Sequence, residues 1–429
     1  MKILDKIGTI ILADSLIKNS IWLIIASFVS AFLGVIFWIL ASRYYDPREI
    51  GIISAIFSAI SLIASISTIG LPTALVYYLP RDSKNSSKII NSCLITSISV
   101  SIIFALIFLL GLKIWSPQLT MLANLKFGII FIILTTVITM SGLMGGAFIA
   151  GRRSSYSMLK DNLYHIIKMF SLALFAGLGI IGVFISLSIG MIFALIVGFI
   201  LLYKTWRYIP TLKFDPIIKT MTRYSLENYI AGILHNLPKL ILPIMIVNII
   251  SAESTGYFYI AMTAAGLLYG ISLSISSSLL AESSNKEKFE NNINKAIMFN
   301  MLLLIPGILF FIIFGKIILN IFNPIYAQNA TETLIILSVA SIPLSLINIF
   351  NGVRNSQNRV KSTIKMKLIV AILTIILTVP LMKTNGIEGV ATAFLIANTI
   401  GAIIVIHRIK NPVEFTIKII KRCRYVLPA

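Results

Sequence analysis

The stretch "IGIISAIFSAISLIASISTIGLPTALVYYLP", residues 50–80, decides the fold of this 429-residue chain. It contains no charged side chain and is longer than the roughly 20 apolar residues that a helix needs to cross a bilayer. Apolar runs recur to the end of the chain, which is 58% hydrophobic and 12% charged, with a mean hydropathy of +0.96. These features predict an all-α polytopic membrane protein.

The apolar runs predict twelve membrane-spanning helices in two lobes of six. The connection from Lys204 to Ser225, which contains Pro210 and Pro216, separates the lobes. We expect an N-terminal lobe of residues 1–210 and a C-terminal lobe of residues 211–429. The predicted spans are 20–42, 51–79, 89–112, 127–150, 159–180, 181–203, 226–250, 256–281, 295–315, 330–353, 364–382 and 387–407.

Lysine and arginine are concentrated on one side of this arrangement. Of the 36 Lys and Arg residues, 28 lie in loops, termini or the adjoining span ends on the side of the N-terminus, 6 lie on the other side, and Lys168 and Lys239 lie deep inside spans. Because cytoplasmic loops carry an excess of Lys and Arg, we expect a cell-membrane protein with both termini in the cytoplasm. The net charge of +21 then reflects topology and lipid headgroup contact, and no nucleic-acid partner is expected.

Both ends of the chain carry short amphipathic segments. Residues 2–18, "KILDKIGTIILADSLIK", and residues 411–424, "NPVEFTIKIIKRCR", place basic residues beside apolar ones. We expect these segments to lie on the inner membrane surface. An ordinary cytoplasmic flank explains the second segment, a basic tail, equally well.

The two halves of the chain repeat one another weakly. An alignment that places Gly51 on Gly256 has an offset of 205 residues, and one that places Arg153 on Arg359 has an offset of 206. The two offsets agree to within one residue. Each half has an even number of spans, so the repeats run in parallel, related by a pseudo-twofold axis along the membrane normal. Paired parallel halves are typical of transporters.

Residues 41–81 resemble the opening motif of a known family, the polysaccharide-biosynthesis flippases. In that family an arginine ends the first span, a short Pro/Glu/Gly loop follows, and a span rich in small residues ends in Gly-Leu. Residues 254–284 resemble the family's eighth span, and "AGRRSSYSM" and "RNSQNRVKS" stand where the family has short basic loops. The features of the opening motif are here Arg43, Pro47, Glu49, Gly51 and Gly70-Leu71.

The resemblance implies a fold and a cargo. The family shares a superfamily with multidrug and toxin extrusion antiporters and lipid II flippases, which implies a V-shaped pair of lobes around a cavity lined by spans one, two, seven and eight. It implies a transporter, not an enzyme, that flips a polyprenyl-(pyro)phosphate-linked oligosaccharide to the outer leaflet by alternating access, for surface polysaccharide assembly. Lipid II flippases have cavity arginines, whereas spans two and eight here carry no Lys or Arg and span one has only Arg43.

Span five carries ionisable side chains where charge is costly. Asp161, His165 and Lys168 are spaced i, i+4, i+7 and therefore share one helix face. Because an ionisable group inside a bilayer usually faces a cavity or a partner, we predict that His165 and Lys168 contact the cargo. Two alternatives stay open, since Lys168 can also snorkel to the headgroups or pair with Asp161.

Span seven carries a second polar stripe, formed by Asn228, His235 and Lys239 at i, i+7 and i+11. Pro238 and Pro243 free backbone groups in this span, which is tolerated where a helix lines protein or water. We predict that this stripe binds the phosphate or acidic sugars of the cargo. A lysine suits that role because its mobile point charge can also release an anion.

Three more residues belong to the predicted site. Arg43 is either an anchor at the membrane interface or a cargo contact, and Glu227 and Asp161 are candidates for proton or ion coupling. Cys93 and Cys423 are too few and too far apart for a metal site or a disulfide framework. We therefore expect no metal and no cofactor.

Small residues mark spans two and eight. Close approach of neighbouring helices is predicted at Gly70, Gly266, Gly270, Ser274 and Ser278. The serine hydroxyls are also candidates for contact with sugars.

Three other functions stay open on the sequence. A multidrug/toxin extrusion-type cation antiporter needs acidic residues deep in its cavity, whereas the deep ionisable residues here are basic. A membrane polysaccharide polymerase or glycosyltransferase needs a large outer loop or paired acids, and the outer loops here are short. A non-transporting member of a glycan-assembly complex shares these sequence features. The expected partners are a polyprenyl-linked glycan, membrane lipids and, in that last case, other glycan-assembly proteins.

Overall fold

In the computed structural model the chain is almost entirely helical over the residues that the structure describes, 15–211, 214–282, 289–357 and 359–408. These ranges contain no strand. Nine of their helices are long and apolar enough to cross a membrane. The prediction of an all-α, multi-pass membrane protein is therefore confirmed. The amphipathic segments predicted at 2–18 and 411–424 lie outside the described residues, apart from residues 15–18.

Each predicted span overlaps one or more helices, and the number that cross the membrane stays a prediction. The α-helices of the described ranges are, in chain order, α1 (Ser15–Tyr44), α2 (Pro47–Ser67), α3 (Leu71–Tyr78), α4 (Ser86–Leu110), α5 (Leu112–Trp115), α6 (Leu125–Ala150), α7 (Ser154–Phe175), α8 (Ile180–Trp206), α9 (Ile218–Ile249), α10 (Ala252–Glu282), α11 (Phe289–Phe322), α12 (Pro324–Asn329), α13 (Thr331–Val339), α14 (Ser341–Ser356) and α15 (Val360–Arg408).

The chain divides into two compact units, the first unit (Met1–Ile233) and the second unit (Leu234–Ala429). The division lies inside α9. The first unit therefore holds α1 to α8 and the start of α9, and the second unit holds the remaining helices. A fold of two helical lobes agrees with the predicted fold class, while the lobe boundary predicted between residues 210 and 211 stays a prediction.

The predicted repeat has a counterpart in the helix order. Gly51 is the fifth residue of α2, and Gly256 is the fifth residue of α10. Arg153 comes directly before α7, and Arg359 comes directly before α15. Both aligned pairs thus occupy equivalent helix positions, as two copies of one six-helix pattern require.

The predicted span 51–79 is broken into α2 and α3. Ile69 and Gly70 have φ angles of 47° and 74°, which no α-helix allows. A Cβ on Gly70 would lie 2.7 Å from the Ser225 hydroxyl oxygen, so the start of α9 approaches this break closely. The predicted close approach is thus confirmed at Gly70. Among the described residues it is wrong at Gly266 and Gly270, where a Cβ would meet no atom within 4 Å.

Two more breaks lie in the second unit. Ala340 separates α13 from α14, inside the predicted span 330–353. Within α15 the backbone leaves helical geometry at Asn385 and Gly386. That position is the predicted gap between the last two spans, so the sequence located this break correctly.

Several buried hydroxyl groups are satisfied inside their own helices. The side chains of Thr135 and Thr139 donate to the carbonyls of Phe131 and Thr135, at 2.7 and 2.8 Å. Ser186 donates to the Gly182 carbonyl at 2.7 Å. In lipid there is no water to satisfy such groups, and a bond to the carbonyl four residues earlier pairs each of these three hydroxyls. Polar side chains therefore fit between apolar helices here.

The connection between α8 and α9 is pinned to α4. The Tyr208 hydroxyl donates to Asn91 Oδ1 at 3.2 Å, and the backbone N–H of Asp215 donates to Ser92 Oγ at 2.7 Å. Burial raises the pKa of Tyr208, which keeps its hydroxyl a donor. These bonds fix where α9 begins, and the first turns of α9 form one wall of the groove described next.

Candidate functional site

The first unit contains a groove of about 750 Å³. Its walls come from α3, the second half of α6, the start of α7 and the start of α9. That volume lies in the range of cavities that bind small molecules, about 300–1,000 Å³. The lining residues are Pro72, Thr73, Val76, Tyr77, Arg81, Ile138, Ser141, Gly142, Gly145, Gly146, Ile149, Ser157, Lys160, Asp161 and Tyr224. We call it the first-unit groove.

One wall of the first-unit groove combines aromatic rings with a cation. The rings of Tyr77 and Tyr224 stack with their centroids 4.4 Å apart. The Arg81 guanidinium carbon lies 3.6 Å from the centroid of Tyr77, and its Nη1 donates to the Tyr77 carbonyl at 2.7 Å. A guanidinium has five N–H donors, so this bond engages only part of its capacity. The wall can therefore offer ring faces to apolar surfaces and N–H donors to an anion.

The opposite wall carries a buried cation beside hydroxyl and carboxylate groups. The Lys160 ammonium donates to Ser141 Oγ and forms an ion pair with Asp161. The Lys160 side chain is 2% exposed and that of Asp161 is 48% exposed, so the carboxylate faces outward. Ser157 Oγ donates to the other Asp161 oxygen at 3.3 Å. These hydroxyl and carboxylate oxygens are suitable partners for the hydroxyl groups of a sugar.

Glycines on α6 shape the floor of the first-unit groove. A Cβ on Gly146 would lie 2.6 Å from the Pro72 carbonyl oxygen, so glycine is needed where α6 meets α3. Gly142 and Gly145 have more room, with nearest atoms at 3.8 and 3.4 Å. A larger residue at either position would extend into space that now belongs to the groove. Gly146 thus lets α6 pack against α3, and Gly142 and Gly145 keep the groove deep.

The three residues of the predicted span-five stripe all lie on α7, but their side chains have different partners. Asp161 pairs with Lys160, one position earlier in the chain, and not with Lys168. Lys168 is 4% exposed, and its ammonium lies 4.2 Å from the centroid of Phe37 and 4.6 Å from that of Tyr164. Two aromatic faces thus hold this cation by cation–π attraction. Of the alternatives left open by the sequence, pairing of Lys168 with Asp161 is wrong.

His165 lies on α7 against α1. A Cβ on Gly34 would be 3.7 Å from its Cε1 atom, and its Nδ1 atom is buried with no hydrogen-bond partner among the described residues. A bond from Ser30 Oγ to Asn162 Oδ1 at 2.7 Å joins the same two helices. His165 is thus enclosed between α1 and α7. Its predicted contact with cargo stays a prediction.

The residues predicted on span seven fall in both units. Asn228 and Glu227 are exposed on the part of α9 that belongs to the first unit, whereas His235 and Lys239 lie in the second unit. The Lys239 ammonium lies 5.3 Å from the ring centroid of Tyr269. Arg43, in the last turn of α1, is exposed. The cargo contacts of these residues and the coupling role of Glu227 and Asp161 stay predictions.

Sequence reasoning missed the residues that form the first-unit groove, apart from Asp161. Tyr77, Arg81 and Tyr224 look like ordinary residues at the ends of spans. Lys160 looks like part of a basic loop, yet it is buried. A usable signal was the polar content of α7, whose apolar surface is interrupted by three charged residues.

No group of three or more His, Cys, Asp or Glu side chains that could hold a metal ion occurs in the described part of the chain. Cys93 is a free, buried cysteine of the first unit. What the described residues offer is binding chemistry, namely aromatic faces, ammonium and guanidinium groups, hydroxyls and one outward carboxylate in a membrane protein.

Comparisons with known proteins agree with this description. A family model described as "Polysaccharide biosynthesis protein" matches residues 16–268, more than half of the chain. A structure of the lipid II flippase MurJ in an inward closed conformation has a TM-score of 0.75 and 17% identity, covering 93% of this chain and 90% of that chain. No protein with a curated description matches the chain in sequence.

Two further solved structures share the fold. An inward-facing multidrug resistance MATE family transporter of the MOP superfamily has a TM-score of 0.72 and 15% identity, covering 91% of this chain and 94% of that chain. A MOP superfamily transporter from Pyrococcus furiosus, described by the reverse polarity of its binding pocket, has a TM-score of 0.64 and 15% identity, covering 94% and 95%. At these identities the likeness establishes the fold, which is that of MOP-superfamily transporters.

Proposed function

Because the chain belongs to the polysaccharide biosynthesis protein family, we propose that it is a flippase for a glycan linked to a polyprenyl phosphate or pyrophosphate. The cargo would pass from the cytoplasmic to the outer leaflet by alternating access. The observation that carries this proposal is the first-unit groove, which joins ring faces, hydroxyls and cations within about 750 Å³. The fold shared with a lipid II flippase supports it.

The chemistry of the groove suits such a cargo part by part. Sugar rings present apolar C–H faces that pack on aromatic rings. The Tyr224 side chain is 47% exposed, so its ring is accessible for such a contact. Sugar hydroxyls can bond to Ser157 and to the outward carboxylate of Asp161. The phosphate of the cargo carries negative charge, which a guanidinium such as that of Arg81 binds through charge-assisted hydrogen bonds.

The position of the groove along the helices suits the loading step. Its lining residues lie at the end of α3, near the end of α6 and at the starts of α7 and α9. The Lys and Arg distribution predicts that these helix ends face the cytoplasm. A lipid-linked glycan made on that side would meet the groove first.

The cargo contacts predicted from the sequence belong to this proposal as further contacts. They are Lys239, His235, Lys168, His165, Asn228 and Arg43, with Glu227 and Asp161 as coupling candidates. A lysine that acts later in the transport cycle need not be exposed when the groove is loaded. Variants of Lys239 and Lys168 therefore belong in the same transport assay.

The test is flipping of a fluorescent polyprenyl-pyrophosphate oligosaccharide in proteoliposomes. Arg81→Gln should lower the flipping rate at limiting cargo by about tenfold or more, since a hydrogen bond to a charged group contributes about 1.5–3 kcal/mol and about 1.4 kcal/mol is tenfold. Tyr224→Leu should lower it by roughly two- to tenfold, the range expected from loss of an aromatic contact of about 0.5–1.5 kcal/mol.

The chain offers a matched pair of controls outside the groove. Tyr203 is 49% exposed, close to the 47% of Tyr224, and the Arg207 guanidinium carbon lies 5.9 Å from its ring centroid. Tyr203→Leu and Arg207→Gln should flip cargo at the wild-type rate. If they lose as much activity as the groove variants, the groove is not the cargo site. Wild-type protein that flips nothing but exchanges organic cations for protons or sodium would replace the flippase with an antiporter.

A further inference from the structure

The first-unit groove has charged groups of opposite sign on its two walls. Arg81 is exposed on one wall, and the carboxylate of Asp161 is half exposed on the other. Lys160, the third charged residue of the lining, is buried and paired with that carboxylate. A ligand in the groove therefore meets a cation on one side and an anion on the other.

The Asp161 carboxylate is held in place by a hydrogen bond to each of its oxygens. Its Oδ1 atom accepts from the Lys160 ammonium, and its Oδ2 atom accepts from Ser157 Oγ at 3.3 Å. Lys160 also donates to Ser141 Oγ, which ties the pair to α6. An ionised carboxylate has about four acceptor positions, so about two stay open for a ligand in the groove.

A carboxylate held in this way discriminates between ligands by charge. Its open acceptor positions suit the hydroxyl groups of a neutral sugar, which donate hydrogen bonds. An ionised sugar has a carboxylate of its own, and like charges brought close together at a binding site strongly disfavour the wrong partner. The Lys160 ammonium balances the charge of Asp161 overall. The pair still presents its negative end to the groove, because Lys160 is buried and Asp161 is half exposed.

We propose that Asp161 determines which sugar the first-unit groove accepts: the ring next to the phosphate is neutral, and an acidic sugar at that place is excluded. This inference rests on the proposed flippase function and adds the class of sugar to it. The phosphate binds at Arg81, and hydroxyl groups of the ring donate to the Asp161 carboxylate. Lys160 is a positioning residue, which holds the carboxylate toward the groove.

The test uses three polyprenyl phosphates that carry one sugar each. The sugars are glucose, glucuronic acid and the methyl ester of glucuronic acid, so only the second is charged at neutral pH. Flipping in proteoliposomes is measured with membrane-impermeant periodate, which cleaves the vicinal diols that all three sugars expose. Wild type should flip the glucose and ester probes at similar rates. It should flip the free acid at least about tenfold more slowly, because tenfold corresponds to about 1.4 kcal/mol and close like charges cost more than that.

Two variants identify Asp161 as the source of this selection. Asp161→Asn alone leaves the buried Lys160 ammonium without opposite charge, so a double variant with Lys160→Met and Asp161→Asn removes both charges together. The double variant should flip the free acid and its ester at rates within about twofold of each other. Lys160→Met alone removes the balancing cation, and it should keep or increase the preference for the ester.

Two further variants are controls for the phosphate and for net charge. Arg81→Gln should slow all three probes by the same factor, because all three carry the phosphate, and it should leave the preference for the ester unchanged. Asp82 directly follows Arg81 and is not among the residues that line the groove. Asp82→Asn should therefore leave both the rates and the preference as in wild type.

Four results would overturn the proposal. Wild type flips the free acid as fast as the ester, the ester is excluded together with the acid, the double variant keeps the preference, or Asp82→Asn abolishes it. Variants that fail to fold do not block the test, because the comparison of acid and ester needs only the wild type. If wild type flips none of the three probes, the flippase proposal fails instead. Binding of the same probes to the full chain in nanodiscs then tests the selection of the sugar by itself.

Discussion

The ion pair of Lys160 and Asp161 predicts a strongly unequal response to the loss of either partner. The Lys160 side chain is 2% exposed and that of Asp161 is 48% exposed. Asp161→Asn removes the opposite charge and leaves a buried ammonium with neutral acceptors, such as Ser141 Oγ. Removing one partner of a buried pair costs about 3–5 kcal/mol, and we expect the lower end, about 3 kcal/mol, because Ser141 still accepts a bond.

The opposite change should cost little. Lys160→Met removes the buried charge and leaves a carboxylate that is half exposed to the water of the first-unit groove. A methionine has a similar unbranched length, and it keeps the packing beside Gly198, whose Cβ would lie 3.3 Å from Lys160 Cδ. Loss of a partly exposed pair costs about 0–1 kcal/mol. A variant that carries both Lys160→Met and Asp161→Asn should therefore be about as stable as Lys160→Met alone.

Cys93 provides the assay, because it is fully buried in the core of the first unit. In a Cys423→Ser background, a fluorogenic maleimide that reacts with Cys93 reports thermal unfolding of this unit. At about 2–4 °C per kcal/mol for a domain of 150–250 residues, Asp161→Asn should lower the midpoint by roughly 6–12 °C. On the same scale Lys160→Met should lower it by less than about 4 °C.

A control variant separates this effect from a simple change of net charge. Asp82→Asn removes the same charge from a surface loop, where Asp82 accepts hydrogen bonds from Asn85 at 3.0 and 3.1 Å. Its midpoint should stay near that of wild type. The reasoning is refuted if Lys160→Met destabilises the unit as much as Asp161→Asn, or if the double variant loses the sum of both.

Three further outcomes are expected. Gly70→Ala should lower the midpoint of Cys93 labelling by the equivalent of about 1–3 kcal/mol, because φ is 74° and the new Cβ would lie 2.7 Å from the Ser225 hydroxyl oxygen. Its control is Gly266→Ala, where a Cβ would meet no described atom within 4 Å. This control should not lower the midpoint of a fluorescence melt. Lys168→Met should stay within about 1 kcal/mol of wild type in the Cys93 assay, since an apolar side chain of similar volume often replaces a buried charge without loss. A drop as large as that of Asp161→Asn would contradict this expectation and show that the two cation–π contacts contribute well over about 1 kcal/mol. With both native cysteines changed to serine, an impermeant maleimide on intact cells should label Lys126→Cys but not Lys84→Cys, and the reverse pattern would invert the predicted topology.

The amino-acid sequence is sufficient to predict the membrane-protein class and most helix positions. Long uncharged runs such as residues 50–80 leave helix as the only secondary structure that satisfies the backbone in lipid. The break at Asn385 and Gly386 was also predicted, because a polar segment with glycine interrupts the apolar pattern. The break at Ile69 and Gly70 was missed, since the surrounding residues are as apolar as the span itself.

The sequence identified Lys168, one of the two buried lysines among the described residues, but it identified neither Lys160 nor the partners of either residue. Spacing on one helix face made Lys168 a plausible partner for Asp161, whereas the structure pairs Asp161 with Lys160 and encloses Lys168 between rings from α1 and α7. Lys367 stands near the start of the predicted span 364–382, where its spacing marked no site. In the structure it lines a small cavity of the second unit together with His235, Lys239 and Asn351.

Helix positions could be predicted and side-chain partners could not, because the two depend on interactions of different range along the chain. Hydropathy, charge distribution and glycine position act within a segment or at its ends, so the chain by itself determines which segments are helical and buried in lipid. A groove or a chamber forms where side chains from several helices meet, as Tyr77 of α3 and Tyr224 of α9 do at 4.4 Å. Such contacts join residues that are far apart in the chain, and only the tertiary packing of the helices decided them.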